Sequence, residues 1–301
     1  MRVFITGASG YVGRAIAGAF VHAGHEVTGL HHSPGSVERV RRTGAHPVQA
    51  DIADPSEWLE AARDHHVLVH AALDYGSPVE TDLVAVDSLR QIVQDSVENR
   101  QLIYTSGCWV LGDTGEEPVD ETASVERPAE VVAWRPSHEE QVLGAADETL
   151  VTTVVRPGMV YGDRGGLVVR FFDTAEEEGS ARYVGDGENR WSLVHRDDLG
   201  RLYVKIAEHR AGGVFHGVDG KPVKVRDAAR AASHAAGARG AVESLPIEEA
   251  REELGPVADA MTLDQALVTS RASDVGWMPT HRSFVESAAT AYEEWKAGGS
   301  G

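Results

Sequence analysis

Hydrophobic positions in the first 160 residues come as short, β-branched runs separated by stretches with helical spacing. RVFIT is followed by an amphipathic stretch from Tyr11 to Ala23, then come HEVTGL, HVLVHAA, QLIYTS and LVTTVVRP. Strand-like runs that alternate with helix-like stretches predict an α/β fold, a parallel sheet with helices on both faces. In DPSEWLEAAR, Asp54 is a capping residue, Pro55 suits a first helical position and Glu57 stands where a capping box closes, so a helix is expected to begin there. Beyond Gly162 the pattern loosens into Gly-rich turns (GDRGGL, VGDGEN), a strand GGVFHGV and an Ala-rich helix from Val225 to Ala236. This divides the chain into a sheet domain over 1–162, to which a strand near 213–218 returns, and a smaller lobe over most of 163–301. Internal repeats are not evident, and the final GGSG reads as a tail.

With 301 residues the chain can bury a conventional core without staples. Its longest apolar runs, such as Leu150 to Val155, are broken by Thr and fall far short of the ~20 residues a membrane span requires. The amino terminus enters a strand at once, which argues against a leader segment and for a cytoplasmic protein. Cys108, the single cysteine, excludes an internal disulfide and a cysteine-based zinc cluster; a small buried apolar role is expected of it, and no metal site is expected. With 47 acidic against 28 basic side chains, a net charge of -19, phosphate backbones would be repelled, so nucleic acid is not an expected partner.

Candidate chemistry begins at TGASGYVG. Gly7, Gly10 and Gly13 lie between the end of a strand at Thr6 and the start of a helix near Tyr11, with Ser9, Tyr11 and Val12 completing the turn. Such a turn aims backbone N–H groups and the positive end of a helix at a pyrophosphate, and glycine permits close approach. At the end of the second strand the chain reads Leu30-His31-His32-Ser33. No carboxylate is there to grip a ribose 2′-hydroxyl, whereas Ser33 can donate and His32 can become cationic beside a 2′-phosphate, so NADPH is favoured over NADH.

The G-x-x-G-x-x-G spacing resembles that of the extended and atypical short-chain dehydrogenase/reductases. The pair Asp51-Ile52, His70-Ala71-Ala72, TSGCWVLG, VRPGMVYG, VGDGENRWSLVHRDDL and VGWMP resemble the NAD-dependent epimerase/dehydratase branch over almost the whole chain. The resemblance implies a Rossmann-type doubly wound sheet with a C-terminal substrate lobe. It also implies Asp51 and Ile52 beside the adenine, Ala71 and Ala72 near the pyrophosphate and ribose, and Pro157, Gly158 and Met159 near the nicotinamide.

That family works with a Ser or Thr, a Tyr and a Lys one helical turn later. Matching the motifs places Gly107 at the Ser/Thr position, with Ser106 before it, Trp134 at the Tyr position and His138 at the Lys position. An indole cannot cycle a proton, while an imidazole can hold a ribose or deliver one. Ser106, Trp134, His138 and Tyr161 are therefore the candidate catalytic residues, with Tyr75 a further phenol near the sheet edge. The family's sugar-nucleotide members hold the diphosphate with an Arg where this chain has Trp191, beside Arg190. Phe171, Phe172, Trp191 and Trp109 could line an apolar pocket instead. The leading expectation is an NADPH-dependent reductase of a small or apolar carbonyl or imine compound. The alternatives are a nucleotide-sugar epimerase or dehydratase, favoured if Arg190 enters the cleft, and a cofactor-binding sensor without turnover. A small-molecule substrate is the expected partner, and a homodimer is compatible with this reading.

Overall fold

The computed structural model describes residues 1–94 and 99–298. The first half follows the alternation read from the sequence: β1 (Arg2–Thr6), α1 (Tyr11–His22), β2 (Glu26–His31), α2 (Val37–Arg41), β3 (His46–Gln49), α3 (Leu59–Ala62), β4 (Val67–His70), α4 (Pro78–Gln94), β5 (Arg100–Thr105), α5 (Arg135–Leu143) and β6 (Leu150–Pro157). The rest comprises β7 (Met159–Tyr161), α6 (Val169–Glu178), β8 (Ala181–Val184), β9 (Arg190–Trp191), β10 (Leu193–His195), α7 (Arg196–Glu208), β11 (Gly213–Gly217), β12 (Val223–Lys224), α8 (Val225–Ala235), β13 (Val242–Leu245), α9 (Ile247–Leu254), α10 (Val257–Met261) and α11 (Phe284–Ala297).

Seven parallel strands form one sheet in the order β11-β6-β5-β4-β1-β2-β3. Successive side chains of a strand point to opposite faces, and these strands are apolar on both. Val3, Ile5, Val67 and Val69 pack with Ile16 and Phe20 of α1 and Leu202 of α7. Their neighbours Phe4, Leu68, Leu102 and Tyr104 pack on the other face with Val86 and Leu89 of α4 and Val142 of α5. This is the Rossmann architecture. β11 pairs in register with β6, Val214 opposite Val154, at the edge of the sheet. A separate core gathers Phe171, Trp191, Val225, Leu245, Met261 and Phe284 around α6, α8 and α11.

The segment after Asp54 departs from expectation. Asp54 does cap, accepting the amide of Ser56 at 3.0 Å, but only a 3₁₀ turn over Pro55–Glu57 and the single turn of α3 follow. Glu57 closes no box, because its carboxylate accepts the amide of Asp51 at 2.9 Å instead. Among the described residues no helix is long and apolar enough to cross a membrane.

Candidate cofactor site and the polar network beside it

The turn after β1 can be built only with glycine. Gly7 has φ +68°, and a Cβ there would lie 2.6 Å from Ala72 Cα and 2.7 Å from the Ala71 carbonyl. At Gly13 a Cβ would lie 2.1 Å from the Gly7 carbonyl, so α1 sits directly on the turn. Gly10 is the N-cap of α1 and supplies no side-chain cap, which leaves the first-turn N–H groups for a ligand. A cleft of about 480 Å³ opens there. Its walls include Gly7, Ser9, Gly10, His32, Asp51, Ile52, Ala71 and Ala72. A strand-end turn that a Cβ would fill, above a helix N-terminus, fits the pyrophosphate of a dinucleotide.

Other residues of the turn look elsewhere. Tyr11 donates its hydroxyl to the Gly162 carbonyl at 2.7 Å, and its ring lies against Gly165 and under Arg196. Val12 packs partly buried beside α1's core. Ser33 is exposed, with its hydroxyl on Ser36 at 3.2 Å. Tyr75, at the cleft's outer wall, is 90% exposed.

Next to the cleft runs a buried polar network centred on Asp82, which is 4% exposed. His70 Nε2 meets Asp82 Oδ1 at 3.1 Å, and His138 Nδ1 meets Oδ2 at 2.7 Å. Tyr104 donates to Oδ2 at 2.9 Å and accepts from Arg135 at 3.1 Å, while Arg135 also donates to the Thr105 carbonyl. Burial alone would raise the Asp82 carboxyl; the charge of His70, with hydrogen bonds from His138 and His70 and the nearby Arg135, outweighs it and holds the group well below the usual carboxylate range. Helix α5 begins at Arg135, with Trp134 as its N-cap and Pro136 in its first turn, so His138 falls on the inner face one turn in. The buried pair of Glu139 with Arg156, at 2.6 Å, pins α5 to β6. Trp134 is half-buried, 4.9 Å ring to ring from His138, with the Arg135 guanidinium 4.5 Å over it.

Ser106 ends the β5 edge, its amide on the Val155 carbonyl at 2.8 Å and its hydroxyl buried without a partner. At Gly107 an added Cβ would meet nothing within 4 Å, so the position matched to the family's Ser/Thr faces open space. Pro157 pairs with Gly217, Gly158 lies where a Cβ would come 2.2 Å from the Ser192 carbonyl, and Met159 is 8% exposed with its amide on the same carbonyl at 2.8 Å.

Several expectations are corrected. Tyr161 sits in a core rather than in the wall of the cleft above Gly7: it is 1% exposed, edge-on to His195 and Phe284, and burial drives its phenol pKa upward. Phe171, Phe172 and Trp191 are core, with Trp191 stacked on Phe171 and its indole N–H on the Met261 carbonyl at 3.0 Å. Trp109 packs partly buried against the same core. Arg190 does not enter the cleft but is clamped by Asp264 and by the carbonyls of Gly115 and Glu116. The spacing Tyr-x-x-x-Lys occurs as Tyr292 and Lys296 of α11, where Tyr292 is buried beside Phe172 and Trp295 and donates to Glu176. Cys108 is buried, its thiol pushed up to about 12 by desolvation.

His195, His281 and Glu294 bring donor atoms within 4.8 Å of one another, a set of the kind that binds zinc. The hydrogen bonds assign them differently. His195 Nδ1 accepts the Asp197 amide, capping α7, so Nε2 carries the proton and donates to Glu294 at 3.0 Å. Glu294 also accepts the Asp163 amide, and Arg164 donates to the Trp295 carbonyl at 2.8 Å. The end of α11 thus clasps the 162–165 loop on which Tyr11 rests.

Residues 3–216 match the model of the NAD dependent epimerase/dehydratase family, and the chain belongs to that family. An uncharacterized protein of Schizosaccharomyces pombe is 27% identical over 96% of this chain and 99% of its own length. A 2-alkyl-3-oxoalkanoate reductase of Stenotrophomonas maltophilia is 24% identical over 75% of this chain and 73% of its own. In fold the chain is similar to UDP-glucose 4-epimerase of Thermotoga maritima, solved with UDP-glucose, at a TM-score of 0.82, 21% identity and 99% coverage of both chains. The family and these relatives make the chain an NAD(P)-dependent oxidoreductase or epimerase in general terms.

Proposed function

We propose that this protein is an NADPH-dependent reductase of a small or apolar carbonyl or imine compound that carries no nucleotide diphosphate. The observation that carries this reading is the fate of Arg190. Arg190, beside the position where the family's sugar-nucleotide members carry an Arg, spends its guanidinium on Asp264 and two backbone carbonyls, 2.5–2.8 Å away. The relative named as a 2-alkyl-3-oxoalkanoate reductase supports the same reaction class.

In this reading the Gly7–Gly13 turn and the N-terminus of α1 hold the pyrophosphate, with Ser9 and the first-turn amides of Tyr11 and Val12 around it. Ile52 and Asp51 flank the adenine, His32 and Ser33 meet a 2′-phosphate, Ala71 and Ala72 back the ribose, and 157–159 approach the nicotinamide. Bound NADPH supplies the hydride. The chain supplies orientation: Gly107 leaves open space at the position matched to the family's Ser/Thr, next to the buried Ser106 hydroxyl, and Trp134 forms a wall. His138 holds the cofactor ribose, so the proton that completes reduction comes from water.

The test is hydride transfer from NADPH to a panel of carbonyl compounds, with UDP-glucose as the competing substrate. Oxidation of NADPH by a ketone or aldehyde supports the proposal. Conversion of UDP-glucose without carbonyl reduction overturns it in favour of an epimerase or dehydratase, and tight cofactor binding without turnover on any substrate would make the protein a sensor.

A further inference from the structure

The protons of the Asp82 network can be placed one by one, because each backbone and guanidinium N–H is a donor only. The Ala71 amide donates to Thr6 Oγ1 at 3.2 Å, and the same oxygen pairs with His70 Nδ1 at 2.7 Å. The ionised Asp82 carboxylate only accepts, so His70 carries a proton on Nε2 and gives it to Oδ1. Arg135 donates to the Tyr104 oxygen, so Tyr104 gives its own proton to Asp82 Oδ2. The remaining partner of Oδ2 is His138 Nδ1, which must be the protonated nitrogen of that ring.

We infer that Asp82 is a positioning residue that fixes the tautomer of His138. With Nδ1–H held by Asp82, Nε2, the nitrogen turned away from it, carries a lone pair, so His138 meets a ligand as a hydrogen-bond acceptor. The ligand group this chemistry recognises is a hydroxyl, and it rests on the cofactor reading above that the hydroxyl belongs to the dinucleotide's ribose. The same carboxylate ties this acceptor to the cofactor turn, since His70 leads to Thr6, the residue before Gly7, and Thr6 in turn holds Ala71 of the cleft wall.

Stability alone does not account for this arrangement. A buried carboxylate surrounded by two imidazoles and a phenol is costly to desolvate, and apolar packing of equal volume is commonly as stable or more so. What a fixed carboxylate does provide is a fixed tautomer and ring orientation, the service a carboxylate gives to metal-binding or catalytic histidines elsewhere.

The experiment labels histidine with ¹⁵N and reads ring protonation from two-bond ¹H–¹⁵N correlations at neutral pH, with His138 assigned by the signal missing in His138→Gln. In the parent protein His138 should be protonated on Nδ1 and bare on Nε2, and saturation with NADPH should shift the Nε2 resonance without protonating it. Asp82→Asn, which can offer an amide N–H to one ring, should lose the fixed tautomer and bind NADPH about tenfold more weakly by fluorescence titration. A parent His138 protonated on Nε2 overturns the inference, and so does an Asp82→Asn protein with a changed tautomer and NADPH affinity within twofold of the parent. Where Asp82→Asn does not fold, the tautomer and Nε2 shift of the parent decide the matter without it. If the parent binds no NADPH the cofactor reading fails, and the parent's tautomer then decides the role of Asp82 alone.

Discussion

Asp264 holds Arg190 at three points: its Oδ1 accepts the Arg190 amide at 2.7 Å and Nε at 2.8 Å, and its Oδ2 accepts Nη2 at 2.7 Å. The same guanidinium reaches the carbonyls of Glu116 and Gly115, so one side chain joins three stretches of chain far apart in sequence. The hydrogen bonds from Arg190 draw the Asp264 carboxyl below its ordinary range. Because both side chains are partly exposed, 24% and 30%, solvent screens the pair, and Asp264→Ala should cost about 1–2 kcal/mol, read as a lowered denaturant midpoint. In Asp264→Ala the freed arginine should still give no UDP-glucose affinity if the lobe is built for another substrate.

Gly7 and Gly18 should respond in opposite directions to the same change. Gly7→Ala places a Cβ on the backbone of Ala71 and Ala72 at a positive φ, and should abolish NADPH binding with a loss of several kcal/mol of stability. Gly18, inside α1, has nothing within 4 Å of an added Cβ, and Gly18→Ala should stabilise by roughly 0.5–1 kcal/mol. Thermal melts of the two variants check both signs.

Cofactor choice should turn on His32, which lies exposed at the cleft wall. The parent is expected to prefer NADPH to NADH by about tenfold, the size of one charge-assisted contact. His32→Asp sets a carboxylate against the 2′-phosphate and should reverse the preference. Dissociation constants for both reduced cofactors decide it.

Asp219 gives a pH dependence with a definite sign. Burial raises its carboxyl pKa to about 7, against the Lys221 amide and charge, which lower it, and with Glu286 adding to the rise. The unfolded value is about 3.9, so between pH 4 and 7 the folded state binds more protons and stability falls as pH rises. Asp219→Asn removes that cost. It should be about 2 kcal/mol more stable than the parent at pH 8, with the advantage fading toward pH 4, as measured by urea unfolding across the range.

The sheet was legible because alternation and turn chemistry are local. Val3 and Ile5 against Phe4 state two buried faces, and Gly7 states a turn. The start of the helix at Arg135 was legible through Pro136. The Asp82 network was not, since its members come from β1, β4, β5, α4 and α5 and meet only in the folded chain. One signal pointed to it: Asp82 falls on the stripe of α4 that also carries Ala85, Val86, Leu89 and Val93, all buried, and a carboxylate on such a stripe requires partners. Tyr161 and Trp191 were misleading for the converse reason, because an aromatic residue near a sheet edge reads the same in sequence whether it faces a ligand or a second core.

The clasp between the end of α11 and the 162–165 loop bears on how the protein matures during synthesis. All seven strands of the sheet have left the ribosome once residue 217 has emerged, and the Rossmann half can then assemble. Glu294 and Trp295, which steady the loop beneath Tyr11, are translated well after that point. The sheet of a nascent chain can therefore form before the loop that carries Tyr11 is braced, and termination within α11 yields a protein whose sheet is whole but whose Gly7–Gly13 turn lacks that brace.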